Sequence, residues 1–134
     1  MNFLDLIKSK GYIVVSKELA KEIGLNETII LAELISQYQY FKDNGELDEQ
    51  GYFYCTIDKM EDNTTLDKHK QSRAINNLVD SGLIEKNTKG IPPKRHFKIN
   101  ETNITKLFFT HKDKIEDKSK HKSELEKLYK AGYR

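Results

Sequence analysis

The stretch TIDKMEDNTTLDKHKQSRAINNLVDSGLIEKNTKGIPPKRHFKIN, Thr56 to Asn100, decides how the chain is read. Its centre is a helix starting after Asp67, whose short carboxylate can accept from the free amides of a first turn. Gln71, Ala74, Ile75, Leu78 and Val79 recur at three- and four-residue spacing, the pattern of a buried helical face. At about 100° per residue, the opposite side carries His69, Lys70, Arg73, Asn76, Asn77 and Asp80. Gly82, free to take positive φ, ends the helix, and Leu83-Ile84 begins a strand. One side is built to pack, while the other presents long donors suited to phosphates and base edges.

Working outward, Thr56 caps a shorter helix in which Ile57 and Met60 face the longer one. Asn63, Thr64 and Thr65 mark a turn, because such side chains bond their own backbone and compete with helix. Leu66 plugs the angle between the two helices. On the other flank, LIEKNT and KRHFKIN read as strands joined by KGIPP, since Gly90 and Pro92-Pro93 cannot sit inside a paired strand. Phe97 and Ile99 alternate with His96 and Lys98, as a half-buried strand requires. Lys86, Lys89, Lys94 and Arg95 surround the tip, where a basic hairpin can straddle a phosphate backbone. The spacing predicts an α+β, mainly helical fold: a winged helix-turn-helix with a small antiparallel sheet. Its helix-turn-helix spans 56–82 and its wing 83–100.

Towards the start, Phe3 to Ile7 offers a short apolar patch, strand or single helical turn, broken by Gly11. Ser16 caps a short helix with Leu19, Ala20 and Ile23 on one face, stopped at Gly24. Asn26 is the expected cap of the next helix, with Glu27 at the positive end of its dipole. There Ile30, Leu31, Leu34, Ile35, Tyr38 and Phe41 repeat at helical spacing and form the main core element. Lys42 to Gly51 is a polar, acidic connection, and GYFYCT reads as a first strand pairing with the wing. Residues 1–109 are therefore expected to form the domain. From Thr110 to Lys122 the chain is almost entirely polar or charged and reads as linker. Ser123 to Ala131 reads as a last weak helix, giving 110–134 as a charged tail.

The length of 134 residues suits one domain and a tail. A formal net charge of +2 says little about partners, but its distribution says more. Residues 1–56 hold 5 Lys/Arg against 9 Asp/Glu, whereas 57–100 and 101–134 each hold 9 against 6. Basic charge is thus concentrated in and behind the helix-turn-helix. Cys55, the single cysteine, excludes an internal disulfide and thiolate zinc clusters, and reads as a packed strand residue. His69, His96, His111 and His121 lack ligand spacing, and Glu61 and Asp62 point apart on a helix with no nucleophile nearby. No metal site, catalytic residue or cofactor is expected, and so no enzyme. Neither a membrane-spanning run nor a signal-peptide pattern is present, which predicts a cytoplasmic protein without membrane contact.

The runs IGLNETIILAELISQY, GYFYCTIDKMEDNTTLDKHKQSRAINNLVDSGLIEK and GIPPKRHFKIN together resemble a known family. It is the N-terminal winged-helix domain of replisome-organiser, DnaD-like replication proteins from phages, plasmids and integrated elements of low-GC Gram-positive bacteria. The resemblance covers about Tyr12 to Asn100. It rests on Leu25, Gly51, Leu66, Gln71, Arg73 and Gly82-Leu83-Ile84, none of them a catalytic signature. It implies duplex DNA as partner and a role in replication initiation or replisome organisation. A homodimer and other replication proteins are the further partners it admits. His69, Lys70, Arg73, Asn76 and Asn77 are then the groove-facing candidates, with Lys86, Lys89, Lys94 and Arg95 on phosphates. Two other readings stay open: a transcriptional regulator with the same fold, and a protein-interaction or oligomerisation module. An ordinary solvated face is the plain alternative for these side chains.

Overall fold

The computed structural model describes residues 12–107 and 109–110; the patch at 3–7 and the segment from 111 to 134 lie outside the described residues. In chain order the elements are α1 (Lys17–Ile23), α2 (Leu25–Asp43), β1 (Phe53–Tyr54), α3 (Ile57–Thr64), α4 (Lys68–Asp80), β2 (Ile84–Lys89) and β3 (Lys94–Ile99). The chain divides into two compact units, 1–100 and 101–134. Residues 101–107, helical and grouped with the domain by sequence, belong to the second.

The ends of the short helices follow the capping chemistry. Ser16, Thr56 and Asp67 each accept a backbone amide three residues on, from Leu19, Lys59 and Lys70 respectively. After α4, Gly82 takes φ 74°, and its amide and that of Leu83 bond back to Val79 and Leu78. Those bonds satisfy carbonyls the helix would otherwise leave open. The turn between α3 and α4 is closed by Thr65 at φ 67°, a conformation a β-branched residue seldom adopts. Asn26 is not a cap: α2 starts at Leu25, directly after Gly24 at φ 105° and ψ 150°, with no side-chain cap bond. The glycine turns the chain so sharply that it alone separates the end of α1 from the start of α2.

α2 lies at the centre and packs on α1, α3, α4 and β3. Ile30, Leu31 and Leu34 are its buried stripe. Near its end Phe41 stacks on Phe53 with centroids 5.7 Å apart, and Phe53 sits against Phe97. Met60, Ala74, Ile75, Leu78, Ile84, Phe97 and Ile99 complete the core, and Leu66 fills the helix-turn-helix angle. Each fully buried aliphatic or aromatic side chain contributes about 1.5–3 kcal/mol before ordering entropy is set against it. Val79, expected among the buried positions, is 37% exposed because it falls at the edge of the α4 stripe.

The sheet order is β1-β3-β2, antiparallel throughout. Ile84 pairs with Ile99 and Lys86 with Phe97, which fixes the wing's register out to Lys89 and Lys94. β1 is shorter than GYFYCT suggests. Gly51 at φ 88° and the Asp48 loop turn the chain just before it. One further bond, Cys55 N to Arg95 O at 3.1 Å, extends the pairing.

Candidate nucleic-acid interface

α4 turns its apolar stripe to α2 and β2 and leaves the rest in solvent. The side chains of His69, Lys70, Arg73 and Asn76 are all exposed and make no hydrogen bond or ion pair among the described residues. Four long donors thus stand on one helical face with nothing internal to hold them. Asn77 differs. It is exposed, but its amide donates to Glu27 Oε1 of α2 at 2.8 Å. Asp80, also exposed, lies at the carboxyl end of this face, so cationic character is greatest over the first two turns.

The four wing residues separate in the same way. Lys86 is exposed without a partner among the described residues. Lys94 is exposed, with Nζ 4.7 Å from the Tyr54 ring centre. Lys89 is engaged: Nζ is 3.3 Å from Asp48 Oδ2 and 4.2 Å from the Tyr52 ring centre. Asp48 is itself shaped to receive it, because its other oxygen accepts from the amides of Tyr52 and Gln50 at 2.9 Å. The Tyr52 amide first, with that of Gln50 and the Lys89 ammonium, holds its carboxyl below the usual carboxylate range. The wing is clasped to the loop before β1.

Arg95 is turned inward. Its Nη2 donates to Gln71 Oε1 at 2.9 Å and its Nε to Cys55 O at 3.4 Å, and the guanidinium lies over Phe97. Burial lowers its pKa, and a guanidinium starts high enough to remain charged. It is a strut between β3 and α4 that keeps part of its surface in solvent.

Lys68 is the residue that the helical projection passes over. With Lys94, Arg95, Pro93, Thr56, Ile57 and Asp58 it lines an open cleft of about 360 Å³ where the tip end of the wing meets the first turns of α3 and α4. Helical side chains lean toward the N-terminus, so the residue following the Asp67 cap reaches toward this cleft rather than along the helix face. Three cations against one carboxylate make the cleft electropositive. Among the described residues no cluster of His, Cys, Asp or Glu could hold a metal, and no helix is long and apolar enough to cross a membrane.

No protein-family model matches the chain, and no curated protein is similar to it by sequence. Solved structures are similar in fold. The N-terminal domain of a DNA-binding protein aligns with a TM-score of 0.55 and 18% identity, over 84% of this chain and 95% of that one. A Rep–DNA complex aligns at 0.54 and 18%, over 84% and 95%. An MDR initiator aligns at 0.52 and 16%, over 83% and 97%. At these identities the likeness is one of architecture: a mainly helical α+β domain with a small three-stranded antiparallel sheet.

Proposed function

We propose that this chain binds duplex DNA and serves replication initiation, in a phage, plasmid or integrated element as the sequence resemblance implies. The observation that carries the reading is the row His69, Lys70, Arg73 and Asn76 on α4, whose side chains have no partner among the described residues, beside a wing whose tip end shares a basic cleft with that helix. α4 enters the major groove, with Arg73 suited to a guanine edge. Lys70, Lys68, Lys86 and Lys94 take phosphates. Neighbours described as a Rep–DNA complex and an initiator favour replication over transcription control.

The test is fluorescence anisotropy on labelled duplexes across a salt series. Neutralising ~4–6 phosphates gives a log–log slope of roughly −4 to −5, at about −0.9 per contact. Arg73→Glu is expected to weaken binding by at least tenfold, since a bidentate base contact is worth ~1–3 kcal/mol and the reversed charge repels phosphate. Unchanged affinity in that variant rejects the assignment. A second reading, self-association, is favoured by the exposed rings of Tyr40 and Tyr54, bridged by Phe41. Sedimentation of the free protein over a range of concentrations separates it from DNA binding.

A further inference from the structure

The apex of the wing is apolar. Ile91 is 102% exposed, so nothing in the domain covers any part of it. It stands between Gly90 and Pro92-Pro93, in the turn that joins the last wing pair, Lys89 and Lys94. A single exposed hydrophobe is ordinary on a protein surface. This one is set apart by how it is mounted. Two prolines fix their own φ and restrict the residue before them. Gly90 takes φ 95°, a backbone angle at which any other side chain would be strained. The isoleucine is β-branched and has few rotamers to lose. A stiff apolar point is therefore carried at the end of a hairpin of six residues a side, whose β3 strand is itself supported by β1 and Cys55 as far as Arg95. Lys86 and Lys94 are exposed on the hairpin, and its tip residues Pro93 and Lys94 share a cleft with Lys68 in the first turn of α4.

We propose that Ile91 is a wedge: it enters the minor groove beside the site occupied by α4 and partly unstacks one base step, so that the duplex leaves the complex bent. The inference rests on the duplex-binding reading above and adds a separate consequence to it. Charge complementarity selects the occupant, because the lysines of the hairpin bring a polyanion to the tip and only a base stack offers apolar surface between two phosphate rails. Side chains of this kind open steps and kink DNA by about 20–90°. Steps of the pyrimidine–purine type, which unstack most easily, are the expected points of entry.

The experiment uses the full chain and a duplex of about three helical turns. It carries central TA steps, a fluorescent dye at each end, and in a second version 2-aminopurine beside one TA step. Wild-type protein is expected to raise energy transfer between the ends and brighten the 2-aminopurine. Ile91→Ser is expected to bind with affinity reduced less than about tenfold, since lost contact and relieved unstacking oppose each other. It leaves the duplex straight and the probe dark, and Ile91→Leu restores both signals. Because Ile91 touches nothing, both variants keep the wild-type melting profile. Arg73-dependent binding with the same bend in wild type and Ile91→Ser overturns the wedge alone. Absence of any Arg73-dependent binding overturns the duplex reading and the wedge with it.

Discussion

Arg95 Nη2 donates to Gln71 Oε1 at 2.9 Å, joining the second strand of the wing to the interior face of α4. Gln71 is wholly buried, and its own amide donates to Leu66 O at 2.8 Å and Ile57 O at 3.1 Å. One side chain therefore satisfies the turn carbonyl, the start of α3 and the wing guanidinium. The relative placement of the helix-turn-helix and the hairpin depends on it.

Removing that side chain leaves several polar groups short of partners. Gln71→Leu fits the space but accepts and donates nothing. An unsatisfied buried group costs ~1–3 kcal/mol, so the variant is expected to lose about 2–4 kcal/mol in urea denaturation. Arg95→Met leaves Gln71 Oε1 without its donor and removes the longer bond to Cys55 O, and is expected to lose about 1–2 kcal/mol. The double variant should lose less than the two together, because both remove the same bond. Additive losses would mean that the bond contributes nothing in solution.

The role of Arg95 was hidden in the sequence for a physical reason. Its partner is 24 residues away, and no local periodicity couples a buried glutamine of a helix to an arginine of a strand. What local chemistry determines was legible: the Asp67 and Thr56 caps, the Gly82 stop, the stripe of Gln71, Ala74, Ile75 and Leu78, and the hairpin turning at Gly90 to Pro93. Thr65 in a left-handed conformation was not, since propensity argues against a β-branched residue there. Nor was the restart of α2 at Leu25, because a cap rule prefers Asn26 to a glycine whose contribution is a backbone angle. For the candidate interface, exposure of the α4 donors follows from helical projection. Engagement of Lys89 by Asp48 and of Asn77 by Glu27 depends on tertiary approach.

Gly24 tests the restart of α2. Its φ of 105° with ψ of 150° lies where essentially only glycine is found, and a Cβ there would meet the Glu27 carboxylate. Gly24→Ala is expected to destabilise the domain by about 1–3 kcal/mol, read as a lowered urea midpoint with unchanged slope. A midpoint equal to wild type would show that the α1–α2 junction adopts another backbone in solution.

Cys55 supplies a pH dependence. The thiol is buried, and desolvation pushes its pKa above the ordinary value; Gln37 and the charge of Arg95 offset this only in part. The folded state thus holds its proton more tightly than the unfolded chain. Stability from this group is complete below the unfolded thiol pKa of about 8.5 and declines as pH rises towards the folded value. Urea midpoints are expected to be level from pH 7 to about 8 and to fall above that in wild type. The fall should be smaller in Cys55→Ala. Alkylation by iodoacetamide at pH 8 should follow unfolding, since the reactive thiolate is unavailable in the folded core. Rapid labelling of native protein would contradict this burial.

Glu27 and Asn77 decide whether the exposed face of α4 is braced or free. The carboxylate accepts from the Asn77 amide at 2.8 Å, so an anion stands at the edge of the face proposed to meet DNA. At ~7 Å from a phosphate in water-like dielectric, one negative charge opposes binding by about 0.6 kcal/mol, roughly threefold in affinity. Glu27→Gln is therefore expected to bind duplex about threefold more tightly at low salt, the gain shrinking as the Debye length falls below ~10 Å. An amide in its place can still accept from Asn77, so the brace itself is kept. Asn77→Ala separates the remaining roles. If Asn77 serves only to brace α4 against α2, a stability cycle with Glu27→Ala shows coupling and sequence preference is untouched. If it swings out to read an adenine edge, the alanine variant loses discrimination at one base pair by ~1–3 kcal/mol. Selection of bound sites from a random duplex pool, with wild type and Asn77→Ala in parallel, distinguishes these outcomes. The 2.8 Å bond to Glu27 predicts the first outcome.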